Sequence, residues 1–263
     1  MIIIGEKLNG AIPVVQKAIL ERDADFIIAR AKAQADAGAH YLDLCAGTEP
    51  DRETEDLRWL IRVVQDTVDI PLCIDSPSPR CIESVFPLVK GPGIINSISG
   101  EGEKCAVLLP LLQDNDWQVI GLTCSDDHGI PKDTETKIAI TQSLVEAAAA
   151  YGVKPERIHI DPCVLALATE GQSLLNFERD IAGIRRCYPT IHITSGLSNI
   201  SFGLPKRKMI NRTFFALAMA AGMDSAVMDP TDADMQEALL VTTALLGQDR
   251  FCKNYSRYFR KKV

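Results

Sequence analysis

The chain has 263 residues, of which 46% are hydrophobic but only 6% aromatic, so it can bury a large core that is mainly aliphatic. A net charge of −7 argues against a surface built to bind nucleic acid. No apolar run is long enough to span a bilayer, and the opening MIIIGEKLNG lacks the basic flank and long apolar stretch of a secretory leader, so a cytoplasmic protein without a membrane segment is expected.

In chain order, the first predicted strand, Ile2–Ile4, runs into Glu6 and Asn9. A helix is expected over Ala24–Ala37, with Gly38 placed to close it, before a second strand, Tyr41–Leu44, that carries Asp43. Helix Thr54–Val68 leads to strand Leu72–Ile74, after which Asp75 follows in LCIDS. Helix Pro79–Val89 precedes strand Ile94–Asn96, which ends in the carboxamide of IINS. Helix Lys104–Asp114 precedes strand Val119–Leu122, with Ser125 and Asp126 beyond it. Asp133 is a good N-cap for a helix over Thr134–Tyr151, and Gly152 follows it. Strand Ile158–Ile160 closes on Asp161 in IHIDP, and helix Leu174–Cys187 leads to strand Ile191–Thr194. That strand enters GLSNIS, where Asn199 is flanked by Ser198 and Ser201. Helix Asn211–Ala221, strand Ser225–Met228 with Asp229 behind it, and helix Asp232–Leu246 complete the pattern.

Eight strands, each followed by a helix, in a chain near the typical barrel size of about 250 residues predict an α/β fold, a single (β/α)8 TIM barrel. A doubly wound open sheet is the alternative, but no G-x-G-x-x-G follows the first strand. No linker or charge block divides the chain, so one domain over residues 1–263 is expected.

In such a barrel, functional groups come from the carboxyl ends of the strands. Asp and Asn are common there for a plain reason: they tie turns and cap the next helix. Here, however, a carboxylate or carboxamide stands at nearly every strand end, with no Lys or Arg among them, which is more than turns require. The four histidines show no metal-ligand spacing, and His159 and His192 sit inside strands as core groups. The eight cysteines are scattered without a C-x-x-C; Cys45, Cys124 and Cys163 lie near strand ends but lack the close spacing of a thiolate metal site, so no metal is expected. Lys206, Arg207 and Lys208 form one basic cluster after the seventh strand. A ring of acceptors and amides suits a neutral flat heterocycle with N–H donors along one edge. A carboxylate accepts two parallel bonds from such an edge, and an Asn both donates and accepts. A pterin has that edge.

The ordered stretches IIGEKLNG, AGAHYLDLCAG, LCIDS, IINS, GLTCSDDHGIPKD, IHIDP, GLSNISFGLP, INRTF and AGMDSAVMDP resemble the methyltetrahydrofolate:corrinoid methyltransferases. More distantly, they resemble the folate domain of cobalamin-dependent methionine synthase and dihydropteroate synthase. The resemblance implies a homodimeric barrel whose acidic cleft binds the pterin of tetrahydrofolate or methyltetrahydrofolate, with cobalamin (a corrinoid) presented by a separate corrinoid protein. It implies that Asp75, Asn96 and Asp161 hold the pterin, that Asn199 reaches N5, and that Gly196 and Ser198 shape its turn. Arg207 is implied near the aminobenzoyl-glutamate tail. The loop Ser125–His128 is more acidic than the resemblance leads one to expect.

Methyl transfer at N5 requires the nitrogen to change charge. A neutral amide tolerates that change where a Lys or Arg would oppose it, and the proton is expected from water or a network that includes Asp75. Dihydropteroate synthase is the alternative function, and it requires a phosphate-binding basic group. A folate-binding barrel without activity is a third.

Overall fold

The computed structural model describes residues 1–260. Eight parallel strands lie in the order β7-β6-β5-β4-β3-β2-β1-β8. They are β1 (Ile2–Asn9), β2 (Tyr41–Cys45), β3 (Leu72–Asp75), β4 (Ile94–Gly100), β5 (Gln118–Ser125), β6 (Ile158–Asp161), β7 (His192–Ile193) and β8 (Ser225–Met228). Between β7 and β8 the ring closes through a parallel bridge of Gly196 with Val227, and the Val227 N–H donates to the Ser195 carbonyl at 3.0 Å. The expected (β/α)8 barrel is the observed one.

Ten helices among the described residues surround it: α1 (Pro13–Glu21), α2 (Ala24–Asp36), α3 (Glu53–Gln65), α4 (Pro79–Val85), α5 (Lys104–Leu108), α6 (Thr134–Ala149), α7 (Ser173–Cys187), α8 (Arg207–Ala221), α9 (Ala233–Leu245) and α10 (Lys253–Arg260). In α3, Leu57, Leu60, Ile61 and Val64 are fully buried at the spacing of one helical stripe. They share one core with the outward residues Leu42, Leu44 and Ile74 of the sheet. Truncating Leu60 to Ala there costs about 2–5 kcal/mol. Asp133 caps α6 as expected, accepting from the Thr136 N–H at 2.8 Å.

Two helices fall furthest short of the spans the sequence suggests. The stretches expected to reach Val89 and Asp114 leave the α-helix at Val85 and Leu108 and continue as short 3-10 turns. Pro87 and Pro110 explain this, because proline lacks the N–H and its ring crowds the preceding turn. Helix α1 is an addition to the expected pattern. It starts on Pro13 and buries Val15, Ala18 and Ile19, giving the first β/α connection two helices.

The barrel interior is tiered. At its base, the Gln118 amide donates to the Tyr41 hydroxyl at 2.9 Å, and His159 contacts Gln118 Oε1 at 2.6 Å and Ser225 Oγ at 3.0 Å. Above lies an apolar tier of Ile4, Cys73, Ile94 and Ile120, a cluster separate from the core beneath the helices. Two residues further along these strands come Glu6, Asp75, Asn96 and Leu122, the upper tier.

Candidate functional site

At the carboxyl ends of the strands the barrel opens into a cavity of about 780 Å³, lined by Asp75, Asn96, Asp161, Gly196, Ser198, Asn199 and Arg207 among others. Every site residue expected from sequence is therefore at one place. Parallel register brings Cys45 beside Asp75 and Asp75 beside Asn96.

Asn96 donates its amide N–H to Asp43 Oδ1 at 3.2 Å, which leaves its carbonyl oxygen for a ligand donor. Asp43 is itself buried, and that burial pushes its carboxyl up to about 6. Asp75 is raised well above the usual carboxylate range, first by burial and then by the Asp43 charge, while a hydrogen bond from the Cys45 thiol lowers it. The Cys45 thiol is pushed up by burial and by the Asp75 and Asp43 carboxylates, so it stays a donor. Asp161 accepts the Cys163 N–H at 2.7 Å on Oδ1 and the Gly196 N–H at 3.3 Å on Oδ2. Burial nonetheless raises it to about 6. These carboxyls are held ready but are short of donors, the condition a row of ligand N–H groups relieves.

Asn199 sits on a 3-10 turn, Leu197–Ser201. Leu197 and Ile200, three apart and therefore on one side, are buried, and the carboxamide between them is exposed at the cavity. The Asn199 N–H donates to the Gly196 carbonyl at 3.1 Å, and a side chain on Gly196 would meet the Asn199 amide nitrogen at 3.2 Å. An alanine there would press the amide aside by a few tenths of an ångström. Arg207 spans the same turn, donating to the Ser198 carbonyl at 2.8 Å and to Ser201 Oγ at 3.0 Å. The resemblance implied a folate-tail contact for Arg207; its guanidinium is here engaged with the turn.

Several residues exceed the sequence reading. Strand β1 extends through Glu6 and Asn9 rather than ending before them, and Glu6 and Lys7 both line the cavity. Thr194 also lines it, and its buried hydroxyl has no partner among the described residues. The ring is not free of cations, since Lys7, Lys104, Arg207 and Lys208 border the cavity. The first pairs with Asp229 at 3.4 Å, the second with Glu101 at 2.9 Å and the last with Asp232 at 2.8 Å. The acidic loop holds its neighbour in place, because Asp126 accepts the Gly102 N–H at 2.9 Å and so ties the β4 and β5 loops together. Among the described residues no group of three or more His, Cys, Asp or Glu is placed to hold a metal.

Residues 13–229 match the family described as "Pterin binding enzyme". The chain is 59% identical to the methylcorrinoid:tetrahydrofolate methyltransferase of Eubacterium limosum over 263 residues, 99% of this chain and 97% of that protein. It is 28% identical to the methionine synthase of Mycobacterium leprae over 241 residues, which cover 87% of this chain but only 20% of that larger protein. In fold it is similar to the dihydropteroate synthase of Thermus thermophilus, with a TM-score of 0.69, 18% identity, and coverage of 93% and 94% of the two chains.

Proposed function

The chain belongs to the pterin-binding enzyme family, and we propose that it is the methyltransferase that moves a methyl group from a methylated corrinoid protein to N5 of tetrahydrofolate. The observation that carries this reading is the 59% identity, over nearly the full length of both chains, to a protein named for that reaction. The site fits the folate half of the chemistry. Asp75, Asn96 and Asp161 offer acceptors to the amino and ring N–H groups of the pterin edge, and a bond to an ionised carboxylate among them is worth about 1.5–3 kcal/mol. Asn199 presents a neutral amide to N5, able to donate to the free nitrogen or accept from its protonated form. The corrinoid is a substrate brought by its own protein to the open rim.

The alternative, condensation of a pterin pyrophosphate as in dihydropteroate synthase, needs unpaired cations for the phosphates. Here each of Lys7, Lys104 and Lys208 already holds a carboxylate, and Arg207 holds the Asn199 turn. The deciding experiment adds tetrahydrofolate to anaerobic methylcob(III)alamin and enzyme. Appearance of the cob(I)alamin spectrum with methyltetrahydrofolate supports the reading, and an unchanged spectrum with folate bound refutes it.

Residues 1–263 act in this reading as one methyltransferase domain working as a homodimer. An apolar groove of about 310 Å³ between α7 and α8, lined by Leu167, Leu174, Ile200, Met209 and Leu217, is the surface a second copy would cover. Leu217→Glu should then give monomers by light scattering. All eight cysteines are free, which suits a reducing cytoplasm, and no helix among the described residues is long and apolar enough to cross a membrane.

A further inference from the structure

Strand β1 carries an irregularity that changes what the cavity contains. From Gly5 to Leu8 it advances three residues while β2 advances two, from Leu42 to Leu44. The additional residue lets Glu6 and Lys7 both face the cavity and returns Leu8 to the buried layer under the helices. Lys7 has Asp229 as its partner. Among the described residues Glu6 has no hydrogen-bond donor, alone among the acidic side chains that line the cavity. Asp43 has Asn96, Asp75 has Cys45, and Asp161 has two backbone N–H groups. Asp229 has Thr231, Asp232 has Lys208 and Asp234 has Arg212.

The charged groups around Glu6 come from four elements: Lys7 beside it on β1, Asp229 after β8, Asp43 on β2 and Arg207 at the start of α8. Arg207, which grips the Asn199 turn, and Asn199 itself line the same cavity as Glu6, so all three border the space a pterin would fill. We propose that Glu6 takes the proton that N5 of tetrahydrofolate gives up on methylation, directly or through one water, and returns it in the reverse reaction.

This inference rests on the methyltransferase reading and deepens it. In balanced form, the N5 lone pair makes the new N–CH3 bond and the electron pair of the broken cobalt–carbon bond stays with cobalt, taking Co(III) to Co(I). The N5–H proton passes to the Glu6 carboxylate, giving the neutral acid. Asp75 and Asp161 suit this role less well, because they are needed as fixed acceptors for the pterin edge. Burial, reinforced by Asp229 and Asp43 and opposed by Lys7 and Arg207, brings the Glu6 carboxyl to about 7, suited to exchanging a proton near neutrality.

The test is single-turnover transfer from methylcob(III)alamin to tetrahydrofolate, followed by cob(I)alamin absorbance between about pH 5.5 and 8.5, with folate affinity measured by calorimetry. The wild-type rate should fall about tenfold per unit below an inflection near 7 and level off above it. Glu6→Gln should be slower by about a hundredfold or more and lose that inflection, with folate affinity within about threefold. Glu6→Asp should regain part of the rate and an inflection. A Glu6→Gln enzyme that keeps the rate and the inflection overturns the proposal, as does one whose only defect is lost folate binding. Wild-type transfer with no inflection near 7 overturns it while leaving the methyltransferase reading intact. Absence of wild-type transfer despite bound folate removes both.

Discussion

Arg207 donates through Nη2 to the Ser198 carbonyl at 2.8 Å and through Nε to Ser201 Oγ at 3.0 Å, so one guanidinium brackets the turn on which Asn199 stands. A lysine has a single ammonium and no fork. Arg207→Lys is therefore expected to lower the turnover number of methyl transfer about tenfold. The KM for tetrahydrofolate should change far less, and steady-state kinetics on both parameters checks this. A change in KM alone would assign Arg207 to the folate tail instead.

Asn199→Ala removes the amide while leaving the Leu197 and Ile200 anchors of its turn in place. The expected loss is about 2.7–4 kcal/mol of transition-state stabilisation, the scale of a lost donor at a charge-changing atom. Rapid-mixing rates should show it, with folate binding largely kept. Full activity would remove the role given to this side chain.

Asp161→Asn should impair the site in a different way. Both Asp161 oxygens accept backbone N–H groups, so an amide nitrogen must oppose one of them. Tetrahydrofolate affinity is expected to fall by more than about tenfold, as befits a lost charge-assisted bond. Calorimetric titration reads this directly.

His159 predicts the acid side of stability. Burial, with the His192 charge adding, lowers it from 6.5 to about 3, so it is neutral in the fold and takes up a proton on unfolding below 6.5. Its contribution is thus complete above 6.5 and is lost as the pH falls toward 3. His159→Gln should be less stable than wild type at pH 8, by about 1–2 kcal/mol for two altered hydrogen bonds. At pH 4.5 the linkage term, about 2.7 kcal/mol for two pH units, should close or reverse that gap. Denaturant unfolding at the two pH values measures both.

Lys137 and Asp180 form a buried ion pair at 2.6 Å between α6 and α7, with Thr134 also donating to the carboxylate. Lys137→Met leaves that carboxylate uncompensated and should cost about 3–5 kcal/mol. The double variant Lys137→Met with Asp180→Leu should recover most of it. Unfolding midpoints of the single and double variants decide this.

The eight strands were legible because each is a short apolar run bounded by turn residues, and every one of them overlaps its expected span. The residues that line the cavity were legible for the same reason, since the last residue of such a run lies at the barrel rim. What escaped depended on longer range. The bulge that turns Glu6 and Lys7 inward is a mismatch of three residues against two between strands, and no local pattern in GEKLN records it. The short helix on Pro13 was hidden because its buried stripe is only three residues. The pairing of the cavity lysines likewise needs the fold, because Lys7 meets Asp229 from the opposite end of the sequence. His159 was expected in the core, yet its stabilising partners, Gln118 and Ser225, are 41 and 66 residues away.

The apolar tier of Ile4, Cys73, Ile94 and Ile120 separates two polar regions of one channel-shaped interior. It works as a stopper. The carboxylates above open toward the strands' carboxyl ends, and in the methyltransferase reading folate and the methyl carrier share that one doorway.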